Sequence, residues 1–486
     1  MLGDTDLNYC NFYSALVLLF ALDLFFFVPI GRWLFSDIDE ENAPALSRSR
    51  LLFGAWALAI VASAFTPALP KLAALIFLWG LFRWLFIDQR WKSVRRGCGA
   101  PGFMSHWAVR YLALFELFRL IDPSARIGAA LWEAYRVDFG LIMVCAGCYK
   151  VLSGYTRDEG MEYGRVNPMW GHHWRFFSKK NPFGFYPKLM NCVACIVEII
   201  SGFFILSPNS ALQTMGALAI TLSFFYVSCF IRLGRLAFLM AILPFLIWPG
   251  VRAGAVEPQA ALCITPWMAS CIISSIYAYI FALPVLKAIQ YYNYLSQKSL
   301  PGGLQKLFDR FMNWVPIIIW RVFTADLVNF YVRIFAVGPT FSDGRMTVLD
   351  ESTYDLRQKG PILLKLRFLH VCESITLSSL FTTLKYFNGN WGLFEKKLSS
   401  YSRSIIGAMN LRDQGQVCQL HYEYVSIVKK ENSMFAYPHV ATFIWDRKTN
   451  KVILEKIDVD FDPSALSRHS PIKQAAAPGT YLSSSR

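Results

Sequence analysis

The residues of this chain best suited to chemistry are ionisable groups set inside apolar runs, where each is costly unless paired or functional. Lys150 ends the run Ala146-Gly147-Cys148-Tyr149-Lys150-Val151-Leu152. A lysine partly withdrawn from water gives up its proton more readily and can serve as a base. At the end of an apolar run the same side chain can instead snorkel its ammonium to lipid headgroups. Glu198 lies deep in another run, between Val197 and Ile199. Asp23 and Arg83 interrupt two earlier runs, and Glu116 with Arg119 has the i,i+3 spacing of a helical ion pair. Arg232 and Arg235 stand between two further runs. These groups predict either a structural network of pairs or a polar cavity between helices, and in both cases they face the bundle interior.

Cysteine and histidine offer a second kind of chemistry. Cys145/Cys148 and Cys192/Cys195 each have Cys-x-x-Cys spacing. A tetrahedral zinc site uses two such pairs, but cysteine in apolar helices ordinarily acts as a small packing residue, and no metal site is expected here. His172 and His173 lie among Trp170, Trp174, Phe176 and Phe177, just before Lys179 and Lys180. Aromatic residues with lysine are the usual anchors at a membrane interface, whereas the two histidines can also act as acid, base or metal ligand. His106, His421 and His439 are isolated and are assigned no role.

The elements that must position these groups are membrane helices. Of the 486 residues, 55% are hydrophobic and 16% aromatic, while only 17% are charged. A soluble domain carries about 25% charged residues, so the composition excludes a disordered protein and a nucleic-acid-binding domain. The net charge of +15 then faces anionic headgroups rather than nucleic acid. A spanning helix needs about 20 mostly apolar residues. The runs at Tyr13–Ile30, Leu51–Ala68, Lys71–Ile87, Trp107–Ile121, Val137–Leu152, Leu189–Leu206, Ala211–Ile231, Leu236–Pro249 and Ala261–Ile289 predict about nine spans. The first is read as retained, because Met1–Phe12 has no Lys or Arg and no small-residue cleavage site follows the run.

Numbering the loops alternately puts Arg32, Arg48, Arg50, Arg90, Lys92, Arg95, Arg96, Arg157, Arg165, Arg175, Lys179, Lys180, Lys188, Arg232 and Arg235 in one set, which ends in the basic segment after Lys287. The other set holds little beyond Lys71, Arg126 and Arg252. The positive-inside rule then predicts the N-terminus outside and the C-terminus in the cytoplasm. Beyond the break at Pro301-Gly302-Gly303 the character changes. Phe311–Phe335, with Arg321, Asp326 and Arg333, reads as an interfacial or re-entrant helix. Leu363–Phe387 and Trp391–Ile406 read as helices, and Val417–Lys429, Met434–Trp445 and Lys451–Val459 as an antiparallel meander. The expected organisation is a transmembrane bundle over 1–300, an interfacial helix and linker over 301–341, an extramembrane α+β portion over 342–462, and a flexible tail over 463–486. The fold class is therefore mainly α: a polytopic helix bundle with a small C-terminal α+β portion.

Several of these segments, in order, resemble the vitamin K-dependent gamma-carboxylase and bacterial relatives that share its HTTM membrane domain. Ala146-Gly147-Cys148-Tyr149-Lys150 resembles the family's Ala-Gly-x-Lys-Lys-Leu. Gly160-Met161-Glu162-Tyr163 and His173-Trp174-Arg175-Phe176 resemble its Tyr-Ser-Met-Glu-Tyr and His-Trp-Leu-Phe elements. Glu198-Ile199-Ile200-Ser201-Gly202-Phe203 is similar to an intramembrane Asp-x-x-x-Gly-Phe, and Ser223-Phe224-Phe225-Tyr226 to a Ser-Tyr-Phe-His whose histidine is Tyr226 here. Trp320 with Val332-Arg333-Ile334, and Leu398 with Tyr401, match later elements, so the resemblance runs from about Cys145 to Ile406. It implies a bacterial inner-membrane protein in which Lys150 is the base, with His173 and Glu198 lining the same cavity. Tyr226, Trp174 and Arg232 are expected around a bound cofactor, for which the family suggests a reduced quinone. Expected partners are the bilayer, a quinone-like lipid, an exported peptide or other membrane subunits, with no nucleic acid. Two functions follow: a membrane-embedded enzyme acting on a lipid-soluble cofactor or inserted peptide, or a non-catalytic assembly, lipid-binding or transport component of a larger complex. The two halves of the chain lack the matched broken helices of a secondary transporter.

Overall fold

The structure is a computed structural model that describes parts of 8–19 and then 99–152, 155–156, 160–179, 185–231, 233, 235–256, 258, 263–296, 300–315, 317, 330–340, 346–350, 391–408, 417–430 and 435–457. The runs at Leu51–Ala68 and Lys71–Ile87, most of Tyr13–Ile30, the segment Leu363–Phe387 and the tail from Pro463 lie outside these residues, and so do Asp23, Arg83 and Arg232.

The described chain is mainly helical, with a small sheet near the C-terminus. Helices α1 (Gly99–Ile121) and α2 (Arg126–Leu152) form a hairpin. Its turn is held by Asp122, whose Oδ2 accepts from the Ile127 N–H at 2.7 Å and whose Oδ1 accepts from the Ser124 hydroxyl at 2.6 Å. Two short helices follow, α3 (Gly160–Val166) and α4 (Trp174–Lys179), and then the apolar pair α5 (Phe185–Leu206) and α6 (Ser210–Phe230). Helix α7 (Arg235–Ile242) runs on through a 3₁₀ turn at Leu243–Ile247, and α8 (Pro249–Val256) then leaves at 75°. Helix α9 (Pro266–Ser296) carries Pro284, and α10 (Gly302–Trp314) is amphipathic.

Among the described residues, three helices are long and apolar enough to cross a membrane: Lys188–Leu206, Ser210–Phe230 and Pro266–Asn293. The bent pair Leu236–Ile247 and Pro249–Val256 adds a fourth if it counts as one span. The eighth predicted run is therefore a broken element rather than a straight helix. The break falls at Trp248, where Pro249 opens α8 and supplies no backbone donor. Helices α1 and α2 are less apolar, because Arg110, Glu116 and Arg119 interrupt one and Glu133, Arg136, Asp138 and Lys150 the other. Large apolar side chains on the spanning helices point outward: Ile196, Ile200 and Phe203 on α5, Leu222 and Phe225 on α6, Phe281 and Val285 on α9. Such a surface suits hydrocarbon rather than water.

Helices α2, α5 and α6 approach closely because glycines line their crossings. A Cβ on Gly147 would lie 2.8 Å from the Cys195 carbonyl oxygen and 2.5 Å from Ile199 Cγ1. One on Gly202 would lie 2.8 Å from the Gly140 carbonyl oxygen, and one on Gly216 2.7 Å from that of Ser201. Backbone contact of this kind supplies helix cohesion where lipid offers no hydrophobic drive.

The sheet combines β1 (Phe330–Thr340), β2 (Met346–Asp350), β3 (Gln419–Ser426), β6 (His439–Asp446) and β7 (Lys451–Ile457) in the order β2-β1-β3-β6-β7. All its pairings are antiparallel. A small hairpin joins β4 (Val428–Lys429) to β5 (Phe435–Ala436). The predicted meander is present as β3, β6 and β7, but its inner neighbour corrects the expectation for Phe311–Phe335. That stretch holds the end of α10 and the start of β1, and β1 buries Phe330, Tyr331, Val332 and Ile334 against β3. Leu304, Leu307, Phe311 and Trp314 form an exposed apolar stripe earlier, on α10. The C-terminal sheet thus starts at Phe330. Helix α11 (Trp391–Ala408) covers one sheet face through Phe394 against Phe443 and through the Ser402–Tyr422 hydroxyl bond of 2.6 Å.

Candidate functional site

Lys150 and Glu198 meet across the α2/α5 crossing. The lysine lies one turn beyond Gly147 and the glutamate one turn before Gly202, so the close backbone approach at these glycines brings the two side chains together. The ammonium donates to Glu198 Oε1, and each side chain is only 6% exposed. Glu198 is near the midpoint of the Lys188–Leu206 span, about 15 Å along at 1.5 Å rise per residue. The Tyr155 ring covers the ammonium at 5.6 Å from its centroid, and the Tyr155 N–H bonds the Lys150 carbonyl at 2.9 Å where the chain turns back. Glu198 Oε2 is buried and has no hydrogen-bond partner among the described residues.

The other residues singled out in the sequence are placed elsewhere. His173 opens α4, is exposed, and uses its carbonyl to accept from the Phe176 and Phe177 N–H groups. Trp174 is half-buried and packs edge-on against Tyr437 at 5.9 Å. Tyr226 donates to Met190 Sδ at 3.3 Å and rests on Phe230. Of the four cysteines at Cys-x-x-Cys spacing, only Cys195 is buried, and among the described residues no three His, Cys, Asp or Glu gather in a metal-holding group. Glu116 and Arg119 form the ion pair their spacing predicts, at 3.2 Å, with the Tyr9 hydroxyl donating to Glu116 at 2.6 Å.

A larger charged cluster escaped the sequence reading. Asp138 of α2 faces Arg110 of α1 at 3.0 Å and Lys287 of α9 at 3.0 Å. The Trp107 indole and the Tyr111 and Tyr279 hydroxyls also donate to it, at 2.7, 3.2 and 3.2 Å. One carboxylate thus joins three helices in a largely buried network, where two ion pairs and three donated hydrogen bonds offset the loss of water, while Arg110 Nε is left without a hydrogen-bond partner among the described residues. Arg110 and Asp138 both lie inside apolar runs, the criterion that singled out Glu198. Lys287 falls inside the predicted run Ala261–Ile289, and α9 continues beyond it to Ser296.

A third set of contacts ties the sheet to the bundle. Lys429 Nζ lies 3.1 Å from the buried Glu162, the Tyr437 hydroxyl donates to the Val166 carbonyl at 2.8 Å, and Asn167 Nδ2 donates to the Phe330 carbonyl at 2.8 Å. Glu162 belongs to one of the carboxylase-like elements, and its partner here comes from β4. Comparison with known proteins finds no family model, no curated protein and no solved structure that matches the chain.

Proposed function

We propose that this chain is a multi-pass membrane protein that acts as a non-catalytic component, holding its sheet at the membrane surface and associating with other membrane subunits. The observation that carries this reading is the closure of Lys150 onto Glu198. The expected base is held as the ammonium half of an ion pair, while His173 lies exposed just before α4. Together with the Asp138 cluster, the pair acts as a clamp between helices. In the full reading α1, α2 and the three amino-terminal runs also enter the bilayer, giving about nine spans. The sheet docks at the end that carries Arg165, Arg175 and Lys179, which favours a cytoplasmic sheet and an outside N-terminus. The order of the carboxylase-like elements favours the HTTM group and a bacterial inner membrane.

A second reading, an enzyme acting on a reduced quinone-like lipid or an inserted peptide, is favoured by Glu198 Oε2, a buried acceptor with no partner among the described residues. In that reading the ammonium proton passes to Glu198 and leaves Lys150 as a neutral amine base. One experiment separates the two. The protein is purified gently from its membrane, and the bound lipids, quinones and polypeptides are identified by mass spectrometry. The wild type is compared with a Lys150→Met/Glu198→Leu double variant. Stoichiometric membrane subunits retained by both forms support the component. A quinone or modified peptide carried by the wild type and lost from the double variant refutes it in favour of the enzyme.

A further inference from the structure

We propose that the cleft at the end of the bundle remote from the sheet binds the phosphate of an anionic phospholipid headgroup, with Arg252 as its ligand. The cleft has a volume of about 400 Å³ and is lined by Ala125, Ala129, Pro249, Arg252, Ala253 and Val256. Small apolar residues make its walls, and Arg252 is its one charged lining group. The guanidinium carbon lies 3.7 Å from the centroid of the Trp132 ring, so the group is stacked and its orientation fixed. Among the described residues its N–H donors meet no acceptor. A half-buried cation in that state is a site made for an anion.

The position of the cleft identifies the anion's source. Arg136, further along α2, bonds the Ile205 and Ser207 carbonyls where the α5 span ends. The Ile264 N–H bonds the Ile121 carbonyl, placing the start of α9 beside the end of α1, and Trp267 there is 75% exposed. These contacts put the boundary between hydrocarbon and water at this end of the bundle. Helix α8, which supplies most of the lining, leaves the preceding helix at 75° and so runs across the bundle end at headgroup depth. The loops assigned to this side are otherwise poor in cations, with the exposed Arg126 next in sequence to Ala125. A phosphate at a guanidinium gains charge-assisted, bidentate hydrogen bonds. A zwitterionic choline headgroup brings a second, positive charge that nothing in this lining neutralises.

The test is native mass spectrometry of the full-length protein in mild detergent, titrated separately with dioleoyl phosphatidylglycerol, dioleoyl phosphatidylcholine and inorganic phosphate. The wild type is expected to hold phosphatidylglycerol about tenfold more tightly than phosphatidylcholine, and Arg252→Gln to lose about tenfold in that affinity, from charge-assisted bonds. Arg252→Lys keeps the charge without the fork and should fall between them, which also serves if the glutamine variant folds poorly. Lys456→Gln, on β7 of the sheet, should bind as the wild type does. Equal binding of phosphatidylglycerol by wild type and both Arg252 variants overturns the proposal, and so does equal binding of the two lipids by the wild type. Displacement of phosphatidylglycerol by an equal concentration of inorganic phosphate overturns the assignment to a lipid.

Discussion

Replacing Lys150 by methionine removes the ammonium but keeps an unbranched stem of similar reach, so the perturbation falls on charge rather than packing. Glu198 is then left in a site where its side chain is 6% exposed, without the counter-charge. Breaking one side of a buried pair costs about 3–5 kcal/mol. Glu198→Leu leaves the ammonium behind, but Val151 and Leu152 beyond it are 49% and 65% exposed, so the lysine can reach out along the helix end. The cost there should be smaller, about 2 kcal/mol. Changing both residues removes both charges and fills the crossing with apolar atoms, which should bring stability to within about 1 kcal/mol of the wild type. The two single costs together then exceed the double by about 4 kcal/mol or more. Reversible unfolding in mixed detergent micelles, followed by tryptophan fluorescence, measures all four forms. A cost below about 1 kcal/mol for Lys150→Met, or a double variant as unstable as the sum of the singles, would refute the clamp.

Four further outcomes follow from other contacts. Gly147→Ala should destabilise the bundle by about 1–3 kcal/mol, because the Ile199 side chain can rotate away but the Cys195 carbonyl cannot. Gly303→Ala, with nothing within 4 Å, should cause no loss in the same melting assay. Glu162→Gln should loosen the sheet from the bundle by weakening the 3.1 Å contact with Lys429, and limited proteolysis should then attack the sheet faster while the melting of the helices is unchanged. Burial lowers the pKa of His421 from 6.5, against the opposing pull of Glu455 and Glu423. The unfolded chain therefore takes up this proton first, so stability is fully present above pH 6.5 and falls as the pH drops toward the folded value. His421→Gln should remove that contribution, which is measured by melting at about pH 8 and about pH 5.

The legible parts of this fold are those in which one local rule decides. Alternation with bounded turns located β3, β6 and β7, and i,i+3 spacing predicted the Glu116–Arg119 pair. Lys150 and Glu198 were each visible as misplaced charges, yet their pairing depends on glycine contacts between distant helices that no local pattern records. The Asp138 cluster was missed for the same reason, since its partners come from α1 and α9. Strand β1 is hard to read because both its faces carry buried apolar residues, Phe330, Val332 and Ile334 on one and Tyr331 and Val337 on the other, which blurs the alternation that marks a strand. The Arg252 cleft was equally hidden: it depends on the bend after Trp248, a tertiary feature.

The position of β1 between β2 and β3 also sets an order of events during synthesis. The helices α1 to α9 and then β1 leave the ribosome well before Gln419–Ser426, the strand that pairs with the inner edge of β1. At about 5–20 residues per second this interval lasts on the order of 10 s. Throughout it, Phe330, Tyr331, Val332 and Ile334 belong to a strand whose inner edge has no partner. An open edge of that kind recruits other strands. A chain stopped between β1 and β3 is therefore expected to aggregate more readily than the full chain, with the unpaired edge of β1 as its seed.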